Sequence, residues 1–261
     1  MPGRPDAGLL RTLLRRYVFV PDDRRPDVSP YLGLALRWLE AASMPITALD
    51  EPRLARAALE ALALQLGGQP AAASTFRHKR AVFKHALGHA VELGDLAANP
   101  LDRVKWRPPK QSGAVDRRVV VNPSQARELL TAVSYVGQSR GPRLRAMFAC
   151  MYFAGLRPAE AAGLRRQDCE LPATGWGLIT LKKSRPQSNK RYTDSGETFD
   201  DRGLKHRDDD VVRPVPVPPE LVGILREHLD AFGTAEDGRM FVTSGGQSFS
   251  GSAYAQVWKR A

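Results

Sequence analysis

The chain has 261 residues, 43% of them hydrophobic, and 39 basic against 28 acidic side chains, a formal charge of +11. That length supports two ordinary domains, or one large one, with a core that needs no disulfide or metal staples, and the composition excludes wholesale disorder. No apolar run approaches the roughly 20 residues of a membrane-spanning helix, and Arg11, Arg15 and Arg16 break up the one leader-like stretch, Leu9–Val20. Cys150 and Cys169 form no metal-ligand spacing, so a reducing cytoplasm is the expected compartment. The excess charge favours a polyanionic partner, with nucleic acid the first candidate. It is also local: residues 74–110 alone hold 8 basic and 3 acidic side chains.

The first hundred residues read as a small helical bundle. A short helix is predicted around Leu9–Tyr17. Ser29-Pro30 offers an N-cap with proline at the first helical position, ahead of Leu32, Leu36 and Leu39 on one face. Asp50 is the expected cap of a helix through Leu54, Ala58, Leu62 and Leu66, ended by Gly67-Gly68. Ser74 opens a third, reaching Gly94, in which Phe76, Phe83, Leu87 and Ala90 make an apolar stripe while Arg77, Arg80 and Lys84 make a basic one. Pro108-Pro109 and the polar run after it mark 107–116 as a linker, itself basic through Arg107 and Lys110 with Lys105 just before it.

The second half changes character. Val119–Val121 reads as a short strand, and Asn122-Pro123 with Gln125 as a capping box opening a helix. Leu144–Ala154 is an apolar helix closed by Gly155. Gly177–Leu181 and Val211–Val217 are strands, the latter at an edge because of Pro214 and Pro216. A helix runs from Pro218-Pro219-Glu220 to Phe232, and Met240–Val242 is a further short strand. The polar stretch Ser184–Asp210 between strands reads as an extended hairpin loop. Cys150 is expected in the core, Cys169 in a loop, and Trp38 and Trp106 in packing roles.

At 152–164 the chain reads Y-F-A-G-L-R-P-A-E-A-A-G-L. This resembles the first conserved box of the tyrosine recombinase (phage integrase) family, where an apolar helix ends in Gly-Leu-Arg and a Glu follows three residues after the Arg. L-K-H-R at 204–207 and R-P-V-P-V-P-P-E-L at 213–221 resemble the family's hairpin lysine and the strand-to-helix passage after it. Residues 73–101 resemble the last helix of its core-binding domain, and the insert from 176 to 198 resembles the actinobacterial-type branch. The resemblance covers roughly residues 25–261.

It implies an α-rich, two-domain protein. A helical, SAM-like core-binding domain spans 1–110, and a mixed α/β catalytic domain with a small antiparallel sheet spans 117–261, clamped around duplex DNA. It implies site-specific breakage and rejoining of DNA at an att-type site through a 3′-phosphotyrosine, with tetramers acting on DNA and no metal or cofactor. The residue types fit that chemistry. Guanidinium groups bind phosphate oxygens bidentately and stay charged, preorganised cations meet the charge that builds on the phosphoryl group, and the leaving alkoxide needs an acid. Carried over, Arg157 matches the first clamp arginine, Glu160 its acidic brace, and Lys205 the hairpin lysine, with Lys182 and Lys183 as rivals. Arg77, Arg80, Lys84, Lys105, Arg107 and Lys110 are the implied phosphate contacts.

Two family features have no counterpart. None of His78, His85, His89, His206 and His228 is followed by arginine three residues on, so the second box is absent. Tyr254, the last tyrosine, lies in a segment that resembles the helix upstream of that box, a poor place for the nucleophile. The sequence stops at Ala261, in the middle of a helix that Ser250 or Ser252 would cap. The expectation is an N-terminal fragment, monomeric off DNA, that binds but cannot cleave. The alternative is a natural, inactive remnant that occupies the recombination site.

Overall fold

The structure, a computed structural model, describes residues 3–106, 119–193, 195–205 and 211–261. The expected linker at 107–116, with Arg107 and Lys110, lies outside the described residues, as does His206. The chain divides into two compact units, Met1–Phe19 with Pro26–Arg117 and Val20–Arg25 with Arg118–Ala261. The placement of Val20–Arg25 in the second unit has no local signature. There the Arg24 guanidinium donates to the carbonyls of Lys190 and Thr193.

In the first unit, α1 (Ala7–Leu13) starts at Asp6, whose carboxylate accepts the amides of Gly8 and Leu9 at 2.7 and 2.9 Å. A single π-helical turn, Leu14–Val18, follows. α2 (Pro30–Ala42) is capped by Ser29, as its sequence predicts. Leu13, Tyr17 and Ala35 bury one small core between these elements. α3 (Pro52–Leu62) and α4 (Ala73–Glu92) build a second with the segment after them, from Ala55, Leu59, Leu87, Ala90, Leu101 and Val104.

Two helix boundaries differ from the sequence reading. Asp50 belongs to a 3₁₀ turn, Ile46–Asp50, so Glu51 stands at the cap of α3 without a side-chain bond. α3 also ends at Leu62, because the next backbone groups are taken by a tight turn in which the Gln65 amide donates to Gln69 and Leu64 pairs with Pro70. Leu66 is left exposed. α4 begins one residue before Ser74, which makes no capping bond.

In the second unit, Asn122 and Gln125 form the predicted capping box on α5 (Pro123–Ser134). α6 (Arg140–Phe153) crosses it so closely that a Cβ on Gly141 would lie 2.1 Å from the Val133 carbonyl. α7 (Pro158–Gly163) follows, and then a three-stranded antiparallel sheet in the order β1 (Cys169–Glu170), β2 (Gly177–Leu181), β3 (Arg213–Val217). β3 holds the edge, where a strand tolerates Pro214 and Pro216. α8 (Pro219–Phe232) and α9 (Gly251–Trp258) complete the unit around one core that includes Leu144, Met147, Ile179, Val217, Leu225 and Phe241. α9 is capped by Ser250 and ends at Trp258, so residues 259–261 lie past it.

Three expectations are corrected here. Val119 and Val120 are exposed and form no strand; the nearby Val121 carbonyl accepts a bond from the Tyr152 hydroxyl at 3.1 Å. Met240–Val242 is buried as expected but builds no ladder, since the Met240 amide goes to Leu164 and Val242 pairs singly with Ser248. The third strand is β1 instead, which carries Cys169 into the core rather than into a loop. Burial pushes both thiols up, that of Cys169 to about 12. Among the described residues no helix is long and apolar enough to cross a membrane.

His228 on α8 is 4% exposed, packed between Phe232 and Phe241. Its Nε2–H donates to the Met240 carbonyl at 2.9 Å, while Nδ1 has no partner. Burial, and then the nearby Arg143 guanidinium, hold its pKa below the ordinary 6.5 against the opposing bond to Met240. The unfolded chain therefore takes up a proton here that the folded chain resists. This group's contribution to stability is present above 6.5 and is lost as pH falls from 6.5 toward the folded-state value. The thermal midpoint is expected to fall more steeply between about pH 7.5 and 5.5 in the parent chain than in His228→Gln. Equal slopes would contradict this assignment.

Candidate phosphate-binding site

Gly-Leu-Arg is a turn with a purpose at each residue. Gly155 takes φ +60°, which lets the chain leave α6, Leu156 drops into the core, and Arg157 stands at the N-cap of α7 with its side chain about half exposed. Pro158 fixes the first helical position, and Glu160, three residues on, folds back over the helix end. One Glu160 oxygen accepts the Arg157 amide at 2.8 Å, and the other accepts Nη1 of the same residue at 2.8 Å. Arg157 and Glu160, paired in the sequence reading, are thus in direct contact.

A third residue joins them. Arg213, the first residue of β3, donates from Nη2 to Glu160 at 2.7 Å. Glu160 is only 2% exposed and carries two guanidinium groups. Arg213 is not among the residues that the sequence reading singles out, although a signal exists. It precedes Val215 and Val217 at two-residue spacing, and those are the core-facing positions of the strand. An arginine in such a register calls for a buried counter-charge.

The hairpin lysine is less sharply placed. The polar stretch after β2 runs out and back, with Ser184 and Arg202 exchanging two backbone bonds of 2.8 Å and Gln187 pairing with Phe199. Its base is anchored over α7 by the Arg185 amide, which donates to Ala159 at 2.7 Å, and by Asp201, which accepts from Arg165 and Arg185. Lys182 and Lys183 lead into that base and Lys205 leads out of it, all three exposed. Among the described residues no hydrogen bond or ion pair ties any of them to Arg157 or Glu160.

On α4, the basic stripe is partly engaged within its own unit. The Arg80 guanidinium stacks 4.3 Å over Trp106, which also meets Phe76 edge to face. Lys84 pairs with Asp102 at 2.6 Å, with both side chains largely exposed. Arg80, Lys84, His85 and His89 line one trough of about 550 Å³ with Glu92 and Asn99. Lys105 is exposed, and its carbonyl accepts from Arg56. Tyr254 lines an apolar groove of about 470 Å³ with Phe148, Met151, Tyr152 and Trp258. No group of three or more metal-ligating side chains occurs among the described residues.

Solved structures share this fold. A variant of the Tn1549 transposon integrase in complex with transposon right end DNA superposes with a TM-score of 0.58 at 17% identity, over 97% of this chain and 77% of that one. The same integrase in complex with circular intermediate DNA gives 0.56 at 17% identity, over 97% and 76%. The chain has the tyrosine recombinase fold. No protein-family model and no curated protein matches the sequence. In the tyrosine recombinase fold as this chain builds it, the Gly-Leu-Arg turn, α7 and the edge strand β3 converge on Glu160.

Proposed function

We propose that this chain binds duplex DNA as a site-specific recombinase of the tyrosine type does, with Arg157 receiving a backbone phosphate. The observation that carries this is the Arg157–Glu160 pair. A half-exposed guanidinium is held in one pose by a buried carboxylate at the end of the Gly-Leu-Arg turn. The fold shared with an integrase solved on DNA supports the reading. Glu160 is the brace, Lys205 the leading candidate for the acid that serves the leaving oxygen, and Lys182 and Lys183 its rivals. Arg77, Arg80, Lys84, Lys105, Arg107 and Lys110 supply phosphate contacts that give affinity and register with little sequence information. The two units correspond in this reading to a DNA-binding helical domain and a recombinase-type catalytic domain.

The 261 residues contain no His-x-x-Arg and no tyrosine after Tyr254. We infer that these 261 residues hold duplex DNA without joining to it covalently. Mixed with duplex DNA carrying its recombination site, it is expected to give a retarded band on a native gel that disappears entirely under denaturing conditions. A denaturant-resistant protein–DNA adduct would contradict the inference.

A further inference from the structure

We propose that Arg213 is a positioning residue for Arg157, acting through Glu160; this rests on the reading of Arg157 as a phosphate contact. Glu160 accepts three hydrogen bonds, from the Arg157 amide, from Arg157 Nη1 and from Arg213 Nη2, at 2.8, 2.8 and 2.7 Å. With Arg157 alone, the carboxylate cancels the one guanidinium it holds. An incoming phosphate would then meet no net charge and would compete with Glu160 for the same donors. Arg213 changes that sum, because two guanidinium groups against one carboxylate leave one positive charge over.

The surplus faces the solvent at Arg157, whose side chain is 56% exposed against 25% for Arg213 and 2% for Glu160. Arg213 neutralises Glu160 from behind, and Arg157 keeps its pose without losing its charge. The strand makes this arm stiff. Arg213 sits opposite Leu181 in the β2–β3 register, and Pro214 follows it with a fixed backbone angle. The edge strand thereby delivers a counter-charge to a helix end 53 residues earlier in the chain.

The test follows the Arg157 side-chain Nε–H signal by NMR in the full 261-residue chain during titration with inorganic phosphate. Loss of the signal in Arg157→Lys assigns it. The variants are Arg213→Gln, which keeps an N–H donor for Glu160 but no charge, and Arg213→Lys, which keeps the charge. The parent signal is expected to shift saturably. Phosphate affinity is expected to fall at least about tenfold in Arg213→Gln, the scale of one unit charge a few ångströms away in partly solvated surroundings, and to stay within about twofold in Arg213→Lys. A purely structural salt bridge would not divide the two variants in this way. Equal affinity in the parent and Arg213→Gln, with the backbone spectrum retained, would overturn the inference and leave the role of Arg157 standing. A parent signal that ignores phosphate would overturn both.

Discussion

Replacing Glu160 with alanine is expected to destabilise the second unit by about 2–4 kcal/mol. The side chain is 2% exposed and satisfies three donors, two of them on charged groups. Removing it leaves two guanidinium groups facing each other across a small void and strips the α7 cap amide of its acceptor. Breaking a fully buried ion pair by deleting one partner costs about 3–5 kcal/mol. The estimate sits lower because Arg157 is half exposed and regains water when its partner goes. Glu160→Gln, which keeps the volume and one acceptor, is expected to lie between the parent and alanine.

The measurement can be confined to the right unit. Cys150 and Cys169 are both buried in its core, and burial raises both thiol pKa values, so neither reacts until that core opens. Thiol labelling against urea concentration therefore reads the stability of the second unit alone, which matters because a chain of two units need not unfold in one step. A Glu160→Ala midpoint equal to that of the parent would remove the structural basis for Arg157's fixed pose.

What the sequence reveals of this site follows from distance along the chain. Arg157 and Glu160 are three residues apart on one helix end, so their pairing is written locally, as is the Asn122–Gln125 capping box. Glu160 and Arg213 meet across 53 residues, and no local pattern announces which carboxylate a strand-borne arginine will find. The same logic separates the strands. Gly177–Leu181 is a five-residue run carrying Leu178, Ile179 and Leu181 and is legible, whereas Cys169–Glu170 is two residues long and is a strand only because β2 lies beside it. Met240–Val242 shows the converse. Its burial is legible from composition, but the Met240 amide goes to Leu164 and Val242 pairs singly with Ser248 rather than in a ladder, and that choice belongs to tertiary structure. The helix ends differ from the sequence pattern at Asp50 and Leu66 for a related reason. A suitable cap residue and an apolar spacing are present, but a 3₁₀ turn and a tight 65–69 turn take the backbone groups first.

The basic stripe of α4 shows why charge spacing alone is an incomplete guide. Arg77, Arg80 and Lys84 line up as phosphate contacts in the sequence, yet Arg80 lies against Trp106 and Lys84 against Asp102. Lys84 stays largely exposed in its pair, whereas Arg80 is half-buried with its Nε out of solvent reach. Stacking holds a guanidinium in one plane. An exposed ion pair of this kind is worth about 0–1 kcal/mol, which a phosphate can readily displace. Pre-placed side chains of this sort lower the ordering cost of binding.

The proposal that the charge of +11 serves phosphate binding is tested most directly by the salt dependence of duplex affinity, measured by fluorescence anisotropy for the parent, Arg157→Ala and Arg80→Ala/Lys84→Ala. Each neutralised phosphate contributes about −0.9 to the log–log slope, so a parent making the seven named contacts has a slope of about −6 and loses about 10⁴ in affinity between 50 and 200 mM salt. The Arg157 variant is expected to have a slope shallower by about 0.9, and the double variant one shallower by up to about 1.8. A parent slope close to zero, or slopes that neither set of substitutions changes, would contradict the account.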